Sequence, residues 1–181
     1  MPPRPKVSKE DIIDKAYILI KEEGIEQLNA RALANQLGCS TQPIFKNFKN
    51  MEELKQSTKK KIDEQYDAFI LKHVDSNDAL FTIANAYIHF ASEYKHLFGA
   101  LFVHPLIESR NVSEVLTSSW NLETIANCQK QYVLSRKQAE DLYRDVRFYS
   151  HGIAAQIYAG TIILSKGEIE ELVRNAIDRF R

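Results

Sequence analysis

Apolar residues recur at intervals of three and four along most of the chain, which is the period of amphipathic helices. The first such stretch carries Ile12, Ile13, Ala16, Tyr17, Leu19 and Ile20. Ser8 precedes it as a candidate N-cap, and Gly24 follows as a residue able to end a helix. We therefore predict a first helix between Ser8 and Gly24.

Two short helices joined by a glycine-containing turn are predicted next. Asn29 can cap a helix over 30–37, in which Ala30, Leu33, Ala34 and Leu37 share one face. Ser40 can cap a third helix over about 41–48. Pro43 is tolerated there, because amides in the first turn of a helix have no partner within the helix.

The remaining pattern predicts longer helices and short turns. Asn50 and Glu53 are spaced like a capping box at the start of a helix from Met51 to about His73. Further helices are predicted over about 78–96, 97–104, 112–130, 137–163 and 167–180, with a break at Pro105 and a cap at Ser165 with Glu168. Only 6 Gly and 5 Pro punctuate 181 residues, and we find no convincing strand, so we predict an all-α fold.

Charge is distributed unevenly along a chain whose formal net charge is zero. Residues 1–61 carry 12 Lys and Arg against 8 Asp and Glu, whereas residues 62–181 carry 12 against 16. A basic end on an acidic body fits a nucleic-acid-binding module joined to a partner domain. Chance clustering is the alternative, since the basic surplus is modest.

The sequence indicates a cytoplasmic protein without a membrane partner. Two cysteines, Cys39 and Cys128, do not make a disulfide framework and fit a reducing compartment. The N-terminal MPPRPK has no apolar run of the kind found in signal peptides. The longest apolar stretch, 153–164, is interrupted by Gln156 and is too short to span a bilayer.

Residues 29–48 have the spacing of a helix-turn-helix. Ile44 and Phe48 would pack inward, and the outward face of the second helix would carry Thr41, Gln42, Lys46 and Asn47. Base edges are read by hydrogen-bond donors and acceptors, and phosphates attract cations. On this pattern alone, a helical hairpin that binds nothing is the alternative.

The stretch AYILIKEEGIEQLNARALANQLGCSTQPIFKNFKNMEEL resembles the N-terminal domain of the TetR family of bacterial repressors. The residues that match are Gly24, Arg31, Ala34, Leu37, Gly38, Ser40, Phe45, Phe48 and Leu54. The resemblance is specific over 8–55, and a late FYSHGIAAQIYAG segment is similar more loosely. It implies a three-helix helix-turn-helix DNA-binding domain over 1–50, with a flexible arm over 1–7. A helical-bundle ligand-binding and dimerisation domain would follow over 51–181.

Carried over position by position, the resemblance implies contacts to double-stranded DNA. The implied contact residues are Arg31, Ser40, Thr41, Gln42, Phe45, Lys46, Asn47 and Lys49. Gln42 suits adenine geometrically. Arg4 and Lys6 could enter a neighbouring minor groove, with a solvated tail as the alternative.

Two positions depart from the family pattern. The family usually has Tyr where this chain has Phe45, and the hydroxyl there commonly contacts a phosphate. It often has Lys where this chain has Met51. Our hypothesis is that Lys46 and Lys49 supply the phosphate-binding charge instead.

The C-terminal body is rich in aromatic residues, which can line a pocket as well as fill a core. The resemblance implies a pocket for a small-molecule effector between the fourth helix and the central helices, with no other cofactor. The residues predicted to line it are Tyr66, Phe90, Tyr94, Trp120 and Tyr149. Ordinary core packing is the alternative for each of them.

The last two helices are expected to pair two subunits, because apolar stripes and small residues allow close helix packing across a two-fold axis. The residues predicted for this interface are Ile153, Ile157, Gly160, Ile169, Leu172, Val173 and Ala176. The alternative is that these stripes pack within one subunit.

These observations together predict a homodimeric repressor that binds a palindromic operator and responds to an effector. An enzyme is not indicated, because the sequence has no Gly-rich phosphate loop and no nucleophile elbow, and we assign no catalytic residue. His89, Glu93 and His96 could share one helix face, but ordinary polar roles are favoured and no metal site is assigned. A helical protein-interaction scaffold that has lost DNA binding remains the alternative function.

Overall fold

The computed structural model describes residues 7–104, 114, 116–117 and 119–181. Its helices are α1 (Lys9–Glu23), α2 (Ala30–Gln36), α3 (Gln42–Asn47), α4 (Met51–His73), α5 (Ala79–Glu93), α6 (Lys95–Phe102), α7 (Ser119–Tyr132), α8 (Arg136–Ala159) and α9 (Lys166–Phe180). Short 3₁₀ turns lie at Ile25–Gln27 and Ser76–Asp78. No strand forms in the described part of the chain, which confirms the all-α prediction. None of the described helices is long and apolar enough to cross a membrane.

Contacts divide the chain into two compact units. Among the described residues, the first unit comprises 7–65 and 94–104, and the second comprises 66–93 and the residues from 114 onwards. The long helix α4 contributes residues to both units, and α6 belongs to the first. The boundary predicted after residue 50 separates two functions, whereas these units are defined by contacts. That boundary therefore stays a prediction.

The first unit is built around α1, which packs against α2, α3 and α6. Its inward face consists of Ile12, Ala16, Leu19 and Ile20, each at most 1% exposed. These residues lie one and two helical turns apart. The partner helices contribute the fully buried Leu33, Ile44, Leu97 and Phe98. Burial of this apolar stripe is the main favourable term that holds short helices such as α2 and α3 in place.

Capping boxes form at the starts of two helices, at the positions that the sequence predicted. The Oγ of Ser8 accepts a hydrogen bond from the Asp11 amide at 3.0 Å, and the Asp11 carboxylate accepts one from the Ser8 amide at 2.9 Å. Ser165 and Glu168 form the same box at the start of α9. The Ser8 bonds lower the pKa of Asp11, and the Ser165 bonds lower that of Glu168. A third box, which begins at Ser135, was not predicted.

The predicted cap of the third helix is wrong. The N-cap residue of α3 is Thr41 and not Ser40, and no side chain caps the helix. The amide that a cap would reach two residues along is missing, because Pro43 occupies that position. The next amide, of Ile44, donates to the Thr41 carbonyl at 3.1 Å.

The helix predicted over 78–96 is shorter than expected. It ends at Glu93, because Tyr94 leaves the helical conformation (φ −125°, ψ 51°) before α6 begins. His96 therefore lies on a different helix from His89 and Glu93, so the shared face considered for a metal does not form. The described residues contain no group of three or more His, Cys, Asp or Glu side chains that could hold a metal.

The helix predicted over 137–163 also ends early. Gly160 adopts a left-handed conformation (φ 74°, ψ 19°) and ends α8 at Ala159. The break at Pro105, the helix start at 112 and the arm residues Arg4 and Lys6 lie outside the described residues. In the second unit, α5 and α8 form the principal contact, and α7 and α9 pack against both of them.

We expect Gly24→Ala to destabilise the first unit by about 1–3 kcal/mol. Gly24 has φ 94° and ψ 164°, a conformation that is essentially restricted to glycine. An added Cβ would also lie 3.0 Å from Glu26 Oε2 and 3.2 Å from His96 Nδ1. Urea unfolding followed by circular dichroism measures the change.

Gly167→Ala is the matched control for this substitution. Gly167 lies in the first turn of α9, and no atom would approach an added Cβ within 4 Å. It should be neutral or stabilising by up to about 1 kcal/mol. Equal unfolding midpoints for the two variants would contradict the assignment of strain to Gly24.

Candidate functional site

Helix α3 has one side in the core of the first unit and the other in solvent. Ile44 is fully buried and Phe48, at its C-terminal cap, is 1% exposed. On the opposite side, Gln42 and Lys46 are exposed, and half of the Phe45 surface is accessible. The polar face that the sequence predicted is therefore presented outward.

Most of the residues predicted to contact DNA are accessible on the first unit. Exposed are Arg31, Ser40, Gln42, Phe45, Lys46 and Lys49; partly buried are Thr41 and Asn47. The side-chain amide of Asn47 donates to the Pro43 carbonyl at 2.8 Å, which restrains its orientation. The accessible set lies on α3, in the turn before it and in the residues after it, with Arg31 at the second position of α2.

The cations of this surface have no carboxylate partner. Within the described part of the chain, Arg31, Lys46 and Lys49 form no ion pair, whereas Lys9 and Lys61 pair with Glu53 and Asp14. An unpaired surface cation keeps its full attraction for an external anion. The arrangement suits contact with a phosphate backbone.

The Glu53 carboxylate connects the end of α3 to the start of α4. It accepts a hydrogen bond from the Lys49 amide at 2.7 Å and lies 3.4 Å from the Lys9 ammonium. The Lys49 bond is the largest cause of a lowered pKa for Glu53. Half of the predicted capping pair forms, because Asn50 Oδ1 accepts from the Glu53 amide while the Glu53 carboxylate turns to Lys49.

The second unit contains a small cavity between α4, α5 and α8. Its polar lining residues are Tyr66, Tyr87, Tyr143, Arg147 and Ser150. Its apolar lining residues are Leu80, Ile83, Ala84 and Val146. The volume is about 30 Å³, enough for water but far below that of pockets that enclose drug-sized ligands.

Of the five residues predicted to line a pocket, only Tyr66 lines this cavity. Phe90 is fully buried and packs edge-on against Tyr66 with ring centroids 5.1 Å apart. Tyr94 belongs to the first unit, where Lys21 lies over its ring. Trp120 is 37% exposed on α7, and Tyr149 packs against Phe180.

Sequence reasoning missed most of the lining, although a signal was present. Leu80, Ile83, Ala84 and Tyr87 are spaced i, i+3, i+4, i+7, and so are Tyr143, Val146, Arg147 and Ser150. Such spacing places each set on one helix face. Arg147 and Ser150 share a face with the apolar Val146, and this combination indicates a cavity wall better than aromatic residues alone do.

Hydrogen bonds order two of the tyrosines in the cavity wall. The Tyr143 hydroxyl donates to Asn121 Oδ1 at 2.6 Å, and the Tyr87 hydroxyl lies 2.8 Å from His151 Nδ1. Burial raises the pKa of both tyrosines. Burial, followed by the Arg147 charge, lowers the pKa of His151. The lowered pKa favours a neutral His151 ring, whose Nδ1 can accept a hydrogen bond from the Tyr87 hydroxyl.

The residues predicted for a dimer interface divide into two groups. Ile153, Ile169, Val173 and Ala176 are buried within the single chain, where they join α8 and α9 to the second unit. Ile157 and Leu172 are partly exposed, and Gly160 is exposed. The first group packs within one subunit, which was the alternative prediction. Side chains at most 8% exposed have little area left for a partner.

Comparison with known protein families finds a match within the first unit. The model of the bacterial regulatory proteins of the tetR family matches residues 12–57, about a quarter of the chain. No curated protein matches the chain significantly. A helix-turn-helix with an accessible polar second helix and this match define a DNA-binding transcriptional regulator. The match supports a regulator of the TetR family, whose members are regulators and not enzymes.

We expect Ile44→Ala to cost about 2–5 kcal/mol of stability, because it leaves a cavity where α3 is anchored. Its neighbour provides the control: Phe45→Ala removes a half-exposed ring and should change stability by no more than about 0.5 kcal/mol. Chemical denaturation of the full chain measures both. A larger loss for Phe45→Ala than for Ile44→Ala would mean that α3 faces the other way.

Proposed function

We propose that the protein is a homodimeric repressor whose two copies of α3 enter successive major grooves of a palindromic operator. The observation that carries the proposal is the outward face of α3, polar and accompanied by cations without internal partners. Two-fold symmetric dimers of this kind bind half-sites about one helical turn of DNA apart, roughly 34–36 Å. Action on chromosomal DNA also supports a cytoplasmic location.

Individual roles follow from side-chain chemistry. Gln42 is exposed in the first turn of α3 and can bind an adenine edge through two hydrogen bonds. Arg31, Lys46 and Lys49 neutralise phosphates, while the hydroxyls of Ser40 and Thr41 serve as further donors. Phe45 contributes apolar contact in place of a phosphate-binding hydroxyl.

The solvent face of α8 is the part of the second unit best suited to pair two copies. Phe148 is 56% exposed there, and Gly152, Ala155 and Ala159 follow it on the same helix face. A large exposed aromatic beside small residues suits close packing of two helices. Ile157, Gly160 and Leu172 from the predicted set lie outside the buried core and belong to the proposed interface.

An effector that binds in the second unit is proposed to alter DNA affinity through α4. This helix begins at Met51, just after α3, and carries Tyr66 in the cavity wall. A ligand that prefers one arrangement of this helix shifts the population of DNA-binding conformers by its differential affinity, typically about 1–3 kcal/mol.

We expect Lys49→Ala to weaken binding to a duplex selected from a random DNA pool. It should reduce the slope of log K against log salt by about 0.9, because one phosphate contact is lost. Fluorescence anisotropy at several salt concentrations measures this slope. The control is Lys130→Ala, an exposed lysine at the end of α7, which should leave the slope unchanged.

Two outcomes of this titration would argue against the proposal. A loss of affinity with an unchanged slope would exclude Lys49 as a phosphate contact. If the unmodified protein shows no salt-dependent binding to duplex DNA, the alternative of an interaction scaffold is supported.

We expect Phe148→Glu to convert the dimer to a monomer at micromolar concentration, because it places a charge on the apolar contact. Leu122→Glu on α7, where the leucine is 38% exposed, is the control and should remain dimeric. Sedimentation velocity separates the two states. A Phe148→Glu protein that remains dimeric would place the interface elsewhere, and a monomeric unmodified protein would reject the dimer altogether.

A further inference from the structure

The cavity of the second unit carries a positive charge without a matching negative one. The side chain of Arg147 forms part of its wall, and no Asp or Glu lines it. Across the described residues, no carboxylate forms an ion pair with Arg147. Arg147 is partly buried, and a guanidinium without a carboxylate partner beside an apolar wall is suited to pair with an anionic ligand.

A second polar group in the wall has no partner of its own. Ser150 is 2% exposed and lines the cavity, and its Oγ makes no hydrogen bond. Within a helix, a serine hydroxyl commonly bonds the carbonyl four residues earlier. Here it remains unbonded, three residues after Arg147 on the same face of α8. A buried hydroxyl in this state is available to a ligand.

The neighbouring side chains show which donors of the cavity wall are already engaged. The Tyr143 hydroxyl donates to Asn121 Oδ1, and the nearby Arg147 charge opposes the rise that burial causes in the pKa of Tyr143. A guanidinium has five N–H donors in a planar fork, and among the described residues no ion pair engages those of Arg147. The Tyr87 hydroxyl is engaged with His151, whereas Arg147 and Ser150 lie one helical turn apart and can both donate to one anion.

The rest of the wall selects the kind of anion. Leu80, Ile83, Ala84 and Val146 provide apolar contact, which suits a hydrocarbon or aromatic tail. One cation matches a single negative charge, and the fork of an arginine fits the two oxygens of a carboxylate. We propose that this cavity binds a monocarboxylate with an apolar tail, paired with Arg147 and hydrogen-bonded by Ser150. The proposal rests on the effector role given above and adds the chemical class of the effector.

The present volume, about 30 Å³, requires the wall to move when such a ligand enters. Tyr66 is the wall residue on α4, and its ring packs edge-on against Tyr87 and Phe90 at 6.3 and 5.1 Å. Displacement of Tyr66 would act directly on α4. Binding at this site is therefore expected to be coupled to a movement of that helix.

Isothermal titration of the full chain with octanoate and with benzoate tests the proposal, octanoate being kept below its micellar concentration. Octanamide and benzamide have nearly the same shape and no charge. The carboxylates should bind at least about tenfold more tightly than their amides, because only the charged head pairs with Arg147. This comparison uses the unmodified protein and does not depend on the folding of a variant.

Variants then locate the site. Arg147→Met should weaken carboxylate binding at least about tenfold, Arg147→Lys should retain part of it, and Ser150→Ala should weaken it about three- to tenfold. Arg136→Met is the matched control on the same helix, since Arg136 pairs with Glu140 and does not line the cavity. Circular dichroism melting of each variant verifies that it is folded.

The outcomes separate this inference from the proposed function. Equal binding of carboxylates and amides, no binding of either carboxylate, or unchanged binding by folded Arg147→Met would overturn the monocarboxylate site. Carboxylate binding through Arg147 that leaves DNA affinity unchanged would support the site and contradict its effector role. Salt-dependent DNA binding without carboxylate binding would overturn only the present inference.

Discussion

The burial of Ile44 and Phe48 in the core of the first unit is the constraint on which the candidate DNA-binding surface depends. A six-residue helix is too short to persist by its own propensity, so tertiary packing decides both its existence and its orientation. With these two side chains inward, Gln42, Phe45 and Lys46 point outward. The bonds of Glu53 to Lys49 and Lys9 then tie the next helix to the same core.

The two candidate sites rely on charge in different ways. On the first unit, Arg31, Lys46 and Lys49 are solvated, so their attraction for a phosphate backbone is long-ranged and weakened by salt. In the cavity, Arg147 is partly buried beside apolar and aromatic side chains, so its attraction for an anion is screened less by salt. The helix α4 contributes residues to both units, and it provides the covalent route by which one site can influence the other.

Features that depend on neighbouring residues, namely helix caps and the buried face of a helix, were predicted correctly from the sequence. Side-chain caps at Ser8 and Ser165, and the face of α1, depend on residues within one or two helical turns. The family match over residues 12–57 confirms the resemblance that residue types and their spacing indicated. The cap predicted at Ser40 does not form, because Pro43 removes an amide that a capping hydroxyl would bind.

By itself, the sequence determined an all-α chain with a helix-turn-helix near its N-terminus, since helical period and caps are encoded by neighbouring residues. Only the tertiary structure decided which aromatic residues line a cavity, as with Tyr87 and Tyr143 rather than Trp120 and Tyr149. It also decided that Ile153 and Val173 lie inside one chain. These outcomes depend on which helix faces meet, and that is set by contacts between segments far apart in sequence.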